Sequence, residues 1–552
     1  MPAAGPGGTR SYAHLVVERP LNETQEVRAF PARRLAWSTA VFSAATGLSR
    51  VLGLVREIVV RRYFGVEGVG INAFTVAFQV PNLVRALVAD AALSSAFVPV
   101  FSELLEKGER ARAWRVASSL IWILLLGLTA ITAVFIVAAP WVMSLFGYGS
   151  GEAGDLAVTL SRILFPTVIL LGISGIVVGI LNSYEHFTVP ALTPVFWNVA
   201  IIVGLLIGVP RADSLNAQLY VYAGAIVVGT VIQLFLPLPW LSGLDGRLRL
   251  AIDWRDPAVK QVFVLMLPVA LGLGLINVNA LIGTLFAARY IDPALSPSSI
   301  DAAFRLYMLP QGMFSVALAT VLFPSLARLA ARADVEGFRR TVGLGLRQIA
   351  FLLIPASVVS AVLAEPIVRL VYQRGEFGPR ATDVVAAALA AFSLGLVFNG
   401  AMLMLNRAFF SLQSPWVPTW VALGNLLLNT ALFAVFYRVG TWGIPFAISL
   451  ANVAGAAALL YLLRLRLGGR IEGAETARST LLITIASAVF GLVAFVVWWA
   501  LDEALGRSFI AQLASLSAAL LVGGAAYLFS CRLLGVRELN ALLSLRARRP
   551  PA

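Results

Sequence analysis

The sequence predicts an all-α integral membrane protein with about 14 transmembrane helices. Of its 552 residues, 59% are hydrophobic and 13% are charged, and the mean hydropathy is +0.86. A chain with so few polar residues cannot cover the surface of a soluble domain. Apolar runs near the length of about 20 residues that crosses a bilayer follow one another along the chain. We number them spans 1 to 14: 37–63, 71–103, 116–146, 155–182, 190–209, 219–241, 261–290, 300–329, 340–364, 383–410, 416–437, 441–463, 479–501 and 509–534.

The composition also argues against several classes of function. The formal net charge of +14 would suggest nucleic acid as the partner of a soluble protein, but loops facing an anionic membrane surface account for it here. The single cysteine, Cys531, excludes an internal disulfide, and two histidines, His14 and His186, argue against a histidine-based metal centre. We therefore expect no catalytic residues, no metal site and no nucleic-acid partner.

Basic residues orient the spans, because Lys and Arg resist translocation across the membrane. They concentrate in the connections that follow even-numbered spans: Lys107, Arg110, Arg112 and Arg115; Arg247, Arg249, Arg255 and Lys260; Arg328, Arg332, Arg339 and Arg340; and Arg464, Arg466, Arg470 and Arg478. We expect these connections and both termini in the cytoplasm. The basic stretch 371–380 is an exception on the other side.

An internal repeat divides the chain. When the sequence is aligned with itself at an offset of about 225 positions, four matches follow one another in the same order. They are Pro99 with Pro324, Pro140 with Pro366, Leu181 and Asn182 with Leu405 and Asn406, and Pro190 with Pro415. The shared order favours duplication of a six-span unit, and the alternative is chance recurrence of loop residues. Because six is even, both copies have the same orientation, as in parallel transporter repeats with a site between the halves.

The predicted organisation follows from the spans and the repeat. A flexible cytoplasmic tail (1–34) precedes an N-lobe (35–241), a basic cytoplasmic linker (242–260) and a C-lobe (261–463). Spans 13 and 14 (464–534) lie outside the repeat, and a basic cytoplasmic tail (535–552) ends the chain.

Span 1 carries charges that a helix surrounded by lipid tolerates poorly. An arginine at a helix centre costs roughly 2.5–3.5 kcal/mol on insertion scales. Around the helix, Ser49, Gly53 and Arg56 form one stripe, and Arg50, Gly53 and Glu57 form its neighbour. The small residues leave room for a polar ligand group or another helix, and Glu57 can partly compensate an arginine.

The alternative for these arginines is that their side chains extend to the membrane interface. We expect this of Arg61 and Arg62, which lie near the end of the span. For Arg50 and Arg56 the interface and a polar cavity both stay open.

Span 2 contains Arg85 and Asp90, which are five residues apart and therefore do not face each other on a helix. Asn82 shares the face of Arg85, and Pro81 removes a backbone donor. We expect Asp90 to be a partner for a neighbouring span, and Pro81 and Pro99 to bracket a helix that bends or ends at both sides.

The arginine cluster indicates the chemistry of a cargo. Guanidinium groups bind phosphate oxygens through paired hydrogen bonds with a permanent charge. Arginines without catalytic acids or metal ligands therefore favour an anionic, phosphate-bearing cargo over a cationic drug.

Several motifs resemble a known family. The stretches "SRVLGLVREIVVRRYFG" (49–65) and "NAFTVAFQVPNLVRALVADAALSSAFVPVFSE" (72–103) are similar to the start of the MurJ (MviN) family of bacterial lipid II flippases, in the multidrug/oligosaccharidyl-lipid/polysaccharide exporter superfamily. Further similarity lies in "GILNSYEHFTVPALTPVFWN" (179–198), "AFRLYMLPQGMFSVALATVLFPSLA" (303–327) and "VYQRGEFGP" (371–379).

The resemblance implies a fold and a mechanism. It implies two six-helix lobes with a central cationic cavity, a hydrophobic groove at spans 13 and 14 for a polyprenyl tail, and alternating access in the bacterial cytoplasmic membrane. The cargo would be lipid II or a similar anionic polyprenyl-pyrophosphate glycolipid, with membrane lipids and cell-wall synthesis proteins as partners. By position in the motifs, the implied substrate-binding residues are Ser49, Arg50, Arg56, Asn82, Arg85 and Arg305, and the structural or gating residues are Gly53, Glu57, Pro81, Asp90, Pro99 and Pro324.

The sequence departs from the family pattern at a few positions. Asn72 stands where aspartate is common, Ala86 where a second arginine is common, Asp90 and Ala91 where Glu-Gly is usual, and Phe304 where an acid often precedes Arg305. These departures affect local ion pairing. The family also implies coupling to the membrane potential or a monovalent cation, but span 7 has no acid. We therefore do not expect the family's sodium site, and interpret Asn277 and Asn279 as packing or weak cavity residues.

Other functions stay open at this stage. A flippase for another polyprenyl-pyrophosphate oligosaccharide would use the same arginines, and a transport-inactive scaffold would fit the departures at Asn72 and Ala86. A cationic drug would be repelled by a positive cavity. A membrane enzyme acting on lipid-linked sugars would need a carboxylate or metal near the reacting bond.

Overall fold

The computed structural model describes residues 32–88, 91–469 and 473–539. The described chain is helical, with helices α1 to α19 in this order: Ala32–Phe64, Val69–Val88, Ala91–Glu106, Arg110–Leu145, Gly151–Leu164, Thr167–Ser183, Thr188–Gly208, Leu215–Phe235, Pro257–Phe286, Ser296–Pro310, Val316–Ala331, Val335–Val362, Ala364–Tyr372, Pro379–Ser393, Leu396–Ser411, Trp416–Phe436, Gly443–Arg466, Gly473–Leu505 and Phe509–Leu533. Short 3-10 turns lie at 209–211, 238–243 and 437–439, and π turns at 287–291 and 311–315.

These helices confirm the predicted all-α membrane fold. In the described residues, 11 helical segments are long and apolar enough to cross a membrane, and the bent pair α14 and α15 raises the number to 12. They correspond to spans 3 to 14. The two remaining spans lie outside this number: span 1 is α1, which carries Arg50 and Arg56, and span 2 is the pair α2 and α3, which carries Arg85.

The two lobes share an interrupted fourth span. In the N-lobe the fourth span is α5 with α6, and in the C-lobe it is α14 with α15. Corresponding helices keep the offset of about 225 residues, as with the starts of α4 at Arg110 and α12 at Val335. Each lobe has its own large apolar core.

The prolines do not bracket a helix as expected. Pro81 lies inside α2 and Pro99 inside α3, and α2 ends at Val88 while α3 begins at Ala91. Pro324 likewise lies inside α11, downstream of the π turn that interrupts span 8. Prolines in a membrane helix are tolerated where neighbouring groups satisfy the freed carbonyls, so these three do not mark helix ends.

Helix α9 belongs to the packing of both lobes. In its first half, Val259 and Val262 lie in the apolar core of the N-lobe. In its second half, Ile282 and Phe286 pack against Phe433 of α16, in the C-lobe, while Leu281 and Leu285 still pack against the N-lobe core. The helix therefore contacts the N-lobe in both halves and the C-lobe in its second half, downstream of Pro268.

Helices α18 and α19 are fastened to the C-lobe near both of their ends. At one end, Arg369 of α13 is buried, contacts Asp502 of α18, and places its guanidinium 5.7 Å from the Trp498 ring. At the other end, Arg347 of α12 lies 3.2 Å from Glu538, which also accepts a hydrogen bond of 2.7 Å from Ser479. The pair α18–α19 is thus held to the C-lobe by two buried ion pairs.

The ion pair between Arg347 and Glu538 predicts a difference in stability between two variants. Glu538→Gln would remove the carboxylate charge that lies 3.2 Å from the buried Arg347 guanidinium, so we expect a larger loss of stability than for an exposed pair, and a lower midpoint of thermal unfolding in detergent. The matched control is Glu475→Gln, which breaks the pair with Arg537, whose side chains are 44% and 80% exposed. That change should cost under about 1 kcal/mol. Equal midpoints for the two variants would contradict the assigned role of Glu538.

Candidate substrate cavity and lobe junction

Arg56 is buried between α1 and α7. Its Nη1 donates to Asn198 Oδ1 at 3.2 Å, its Nη2 donates to Glu57 Oε1 at 2.7 Å, and its guanidinium lies 4.8 Å from the Trp197 ring. Gly53 faces the same helix, since a Cβ built there would meet Asn198 Oδ1 at 4.0 Å. The stripe of small residues beside the charges therefore faces another helix at this level.

Arg61 does not extend to the membrane interface, contrary to the sequence interpretation. Only 2% of the residue is exposed, and its guanidinium donates to Ser298 Oγ at 2.5 Å and to Asp301 Oδ2 at 2.9 Å, both in α10. Its neighbour Arg62 is exposed, as expected. Arg61 therefore links the two lobes, whereas Arg56, about one turn earlier in α1, is bound by residues of its own lobe.

Asn72 joins the same two lobes through its amide group. Its Nδ2 donates to the carbonyl oxygens of Val66 and Gly68, at 2.8 Å each, and its Oδ1 accepts from the backbone N–H of Ser298 at 2.8 Å. A carboxylate here would keep the bond from Ser298 but would place negative charge beside two carbonyl oxygens. The asparagine therefore suits this contact.

A third link crosses the lobes at Glu57. Its carboxylate lies 2.7 Å from Arg56, 3.8 Å from Arg61 and 3.7 Å from Arg305 of α10. Arg305 also lies 3.2 Å from Asp301, one turn earlier in its own helix. We call the set Glu57, Arg61, Asn72, Ser298, Asp301 and Arg305 the lobe junction.

The loop after α13 closes over the lobe junction. Glu376 donates its backbone N–H to the Arg62 carbonyl at 3.0 Å. Gly375 has a φ of 59°, and a Cβ there would lie 2.2 Å from the same carbonyl, so the contact requires glycine. The basic stretch 371–380, an exception to the charge rule, is therefore a docked segment between the lobes.

Arg50 and Arg85 lie deeper, away from the lobe junction. At about 1.5 Å per residue, Arg50 and Arg85 both lie roughly 20–25 Å from the connection between α1 and α2, counted from the end of α1 at Phe64 and from the start of α2 at Val69. Arg50 is exposed, and a Cβ on Gly312 of the C-lobe would lie 3.4 Å from its Nη1, so Arg50 lies beside the C-lobe. Arg85 is partly buried and donates from Nε and Nη2 to Asn82 Oδ1, at 3.1 and 2.8 Å.

The described residues therefore divide the predicted arginines into two groups. Arg56, Arg61 and Arg305 lie beside carboxylates of the protein, whereas Arg50 is exposed and Arg85 is hydrogen-bonded to Asn82. Of the remaining predicted residues, Ser49 accepts a long hydrogen bond at its carbonyl from Asn198, and Asp90 lies outside the described residues. Three arginines of α1 and α10 share two carboxylates, so the region has excess positive charge.

Several residues of this region were missed by the sequence interpretation. Trp197 and Asn198 orient Arg56, and Ser298 and Asp301 bind Arg61. The signal available for the first pair was a tryptophan and an asparagine adjacent in an apolar span. Asp301 could have been found as the acid one helical turn before Arg305.

Comparison with known proteins places this architecture in a family. The family model described as lipid II flippase MurJ matches residues 60–518. The chain belongs to the MurJ family. The lipid II flippase MurJ of Burkholderia cenocepacia is 32% identical over 78% of this chain and 83% of that protein, and the probable lipid II flippase MurJ of Vibrio cholerae is 32% identical over 92% and 97%.

Solved structures agree with this family membership. A lipid II flippase MurJ in an inward closed conformation matches with a TM-score of 0.73 and 25% identity, covering 90% of this chain and 98% of that one. An inward-facing multidrug resistance MATE family transporter matches with a TM-score of 0.65 and 18% identity, covering 78% and 98%. The second similarity shows the fold alone. The prediction of an all-α transporter of the MurJ family, rather than an enzyme, is confirmed.

Two departures from the family pattern have a structural counterpart. Asn72 makes three hydrogen bonds at the lobe junction, as described above. Phe304 stacks on Tyr307 and packs against Phe392, while Asp301 supplies the acid beside Arg305. Ion pairing around Arg305 is therefore present without an acid at position 304.

The lobe junction predicts a difference between adjacent arginines. Arg61→Ala removes the hydrogen bonds that the charged guanidinium donates to Ser298 and Asp301, each worth about 1.5–3 kcal/mol, and should separate the joined lobe ends. The measurement is the distance between spin labels at Glu67→Cys and Arg380→Cys, both exposed positions, in a Cys531→Ala background. Arg62→Ala keeps the backbone contact to Glu376 and should leave the distance unchanged. The assignment would be wrong if Arg61→Ala gave the same distance distribution as the control.

Proposed function

We propose that the chain moves lipid II from the inner to the outer leaflet of the bacterial cytoplasmic membrane by alternating access, for cell-wall synthesis. The observation that carries the proposal is the pair Arg50 and Arg85 at matching depth in a fold of the MurJ family, with the exposed Arg50 beside Gly312 of the C-lobe. Relatives named lipid II flippase support the cargo. The basic connections support a cytoplasmic location for both termini.

The proposed cycle uses the two groups of arginines differently. Arg50 and Arg85 attract the pyrophosphate of the cargo, since guanidinium groups bind phosphate oxygens well. The lobe junction keeps the outer ends of the lobes together while the headgroup enters from the cytoplasmic side. Opening to the outside then requires that Arg61 separates from Asp301 and that Arg305 separates from Glu57, or that each pair moves as a unit. The hydrophobic groove proposed at α18 and α19 would carry the lipid tail.

Replacing the cavity arginines tests the cargo. Arg85→Ala should abolish support of growth in cells depleted of their own lipid II flippase, while the protein remains folded in the membrane. Arg50→Ala and Arg85→Ala should each weaken binding of lipid II by about tenfold to a hundredfold, the effect of losing one charge-assisted hydrogen bond. Arg62→Ala is the control and should bind normally.

Two outcomes would contradict this assignment. Full complementation by Arg85→Ala would exclude its role, and unchanged lipid II affinity in Arg50→Glu would exclude selection by positive charge. Tighter binding of another polyprenyl-pyrophosphate oligosaccharide than of lipid II would favour a flippase for that cargo. Binding without translocation by the intact protein would favour a scaffold.

Coupling to the membrane potential or to a monovalent cation is a further part of the proposal. The side-chain oxygens of Asn279 in α9 and of Asn425 and Asn429 in α16 are buried and have no hydrogen-bond partner among the described residues. Neutral amide oxygens are ligands that hard cations accept, and neither helix contains an acid. If sodium binds there, replacing it with choline should lower the unfolding midpoint, and Asn429→Leu should remove that difference.

A further inference from the structure

The connection between the lobes is a clamped segment on the surface of the N-lobe. We call residues 244–256, between the 3-10 turn at 238–243 and α9, the strap. At its start, Asp245 accepts a hydrogen bond from Tyr184 and lies 3.0 Å from Arg110. At its end, Asp256 accepts from Arg112 at 2.9 and 3.1 Å and caps α9 through the Ala258 N–H.

The middle of the strap is bound to the first turns of α4. The backbone N–H groups of Arg249 and Asp253 donate to the hydroxyls of Ser118 and Ser119, at 3.0 Å each. The Arg249 carbonyl accepts from Trp122 Nε1 at 3.2 Å. The buried hydroxyls of α4 thus fix the backbone of the strap.

Four apolar side chains of the strap are uncovered in the described chain: Leu248, Leu250, Ile252 and Trp254 are exposed by 37%, 85%, 54% and 64%. The backbone hydrogen bonds of Arg249 and Asp253 to α4 hold the segment that carries them. The fold therefore leaves a row of apolar side chains exposed on a fixed segment.

Positive charge accompanies the apolar row. Asp245 and Asp256 are neutralised by Arg110 and Arg112. Arg247, Arg249 and Arg255 form no ion pair with a described residue, and the Arg255 guanidinium lies 5.4 Å from the Trp254 ring. Aliphatic residues, a tryptophan and arginines in one row match the chemistry of a membrane interface with anionic headgroups.

The position of the strap selects this partner. It joins the end of the span formed by α8 to the start of α9, so it lies where two spans leave the membrane on the same side. We propose that the strap is an interfacial binding site for anionic phospholipid, with Leu248, Leu250, Ile252 and Trp254 among the acyl chains and Arg247, Arg249 and Arg255 at the headgroups. The strap thereby anchors the N-lobe, through α4, to the leaflet on that side.

The experiment uses the full chain with Cys531→Ala, which removes its one cysteine. A bimane label on Leu250→Cys reports contact with lipid in nanodiscs of phosphatidylcholine with increasing phosphatidylglycerol, through quenching by brominated acyl chains. Lys107→Cys, an exposed residue of another loop on the same side, is the matched control. We expect strong quenching at 250, which increases with phosphatidylglycerol, and weak quenching at 107.

A second variant separates charge from apolar contact. Arg247→Gln, Arg249→Gln and Arg255→Gln together should raise severalfold the fraction of phosphatidylglycerol needed for half-maximal quenching, without changing the unfolding midpoint, since these side chains are exposed. Quenching at 250 equal to that at 107 in every lipid mixture would overturn the proposal. Quenching that is independent of phosphatidylglycerol would overturn the anionic specificity, and protection of the label only by an added protein would assign the strap to a protein partner.

Discussion

The buried carboxylate of Glu57 is the interaction on which the lobe arrangement depends. It lies within 4 Å of three arginines, two from α1 and one from α10, and only 5% of the residue is exposed. A buried carboxylate is tolerated only while cations and hydrogen bonds replace its hydration. The proximity of Arg305 to Glu57 therefore ties the position of α10 to α1. If the lobes separate here, water or cargo has to replace what Arg305 supplies.

This constraint explains why the arginines of α1 are not equivalent. Arg56 and Arg61 are balanced by carboxylates and amides of the protein, so a cargo that bound them would compete with short internal contacts. Arg50 lies about two turns deeper than Arg56, outside the reach of Glu57. The positive charge left for an anionic cargo is thus separated in depth from the charge that holds the lobes together, which allows binding and closure to respond to different groups.

The sequence predicts the spans and the repeat well, because hydropathy, charge asymmetry and residue order are local or additive properties. It does not distinguish Arg61 from Arg62. Their difference arises from Ser298 and Asp301, which are more than 230 positions away and become neighbours only when the lobes pack. Pro81 and Pro99 suggest helix ends, but both lie inside helices, so the sequence pattern misplaces those ends. The strap was predicted as a linker on composition, and its anchoring depends on serines of a helix more than 130 positions earlier.

The attachments on either side of the lobe boundary limit how the lobes can move. Helices α18 and α19 are fixed to the C-lobe by buried ion pairs, and the strap is fixed to the N-lobe along its length. Both segments are therefore held to their lobes by side-chain contacts. Helix α9 packs against the N-lobe in both halves and against the C-lobe in its second half, so relative motion of the lobes has to bend or shift this helix. Pro268 removes one backbone hydrogen bond between those halves, and helices bend most readily at such a position. A bend at Pro268 would therefore change how α9 connects the two lobes.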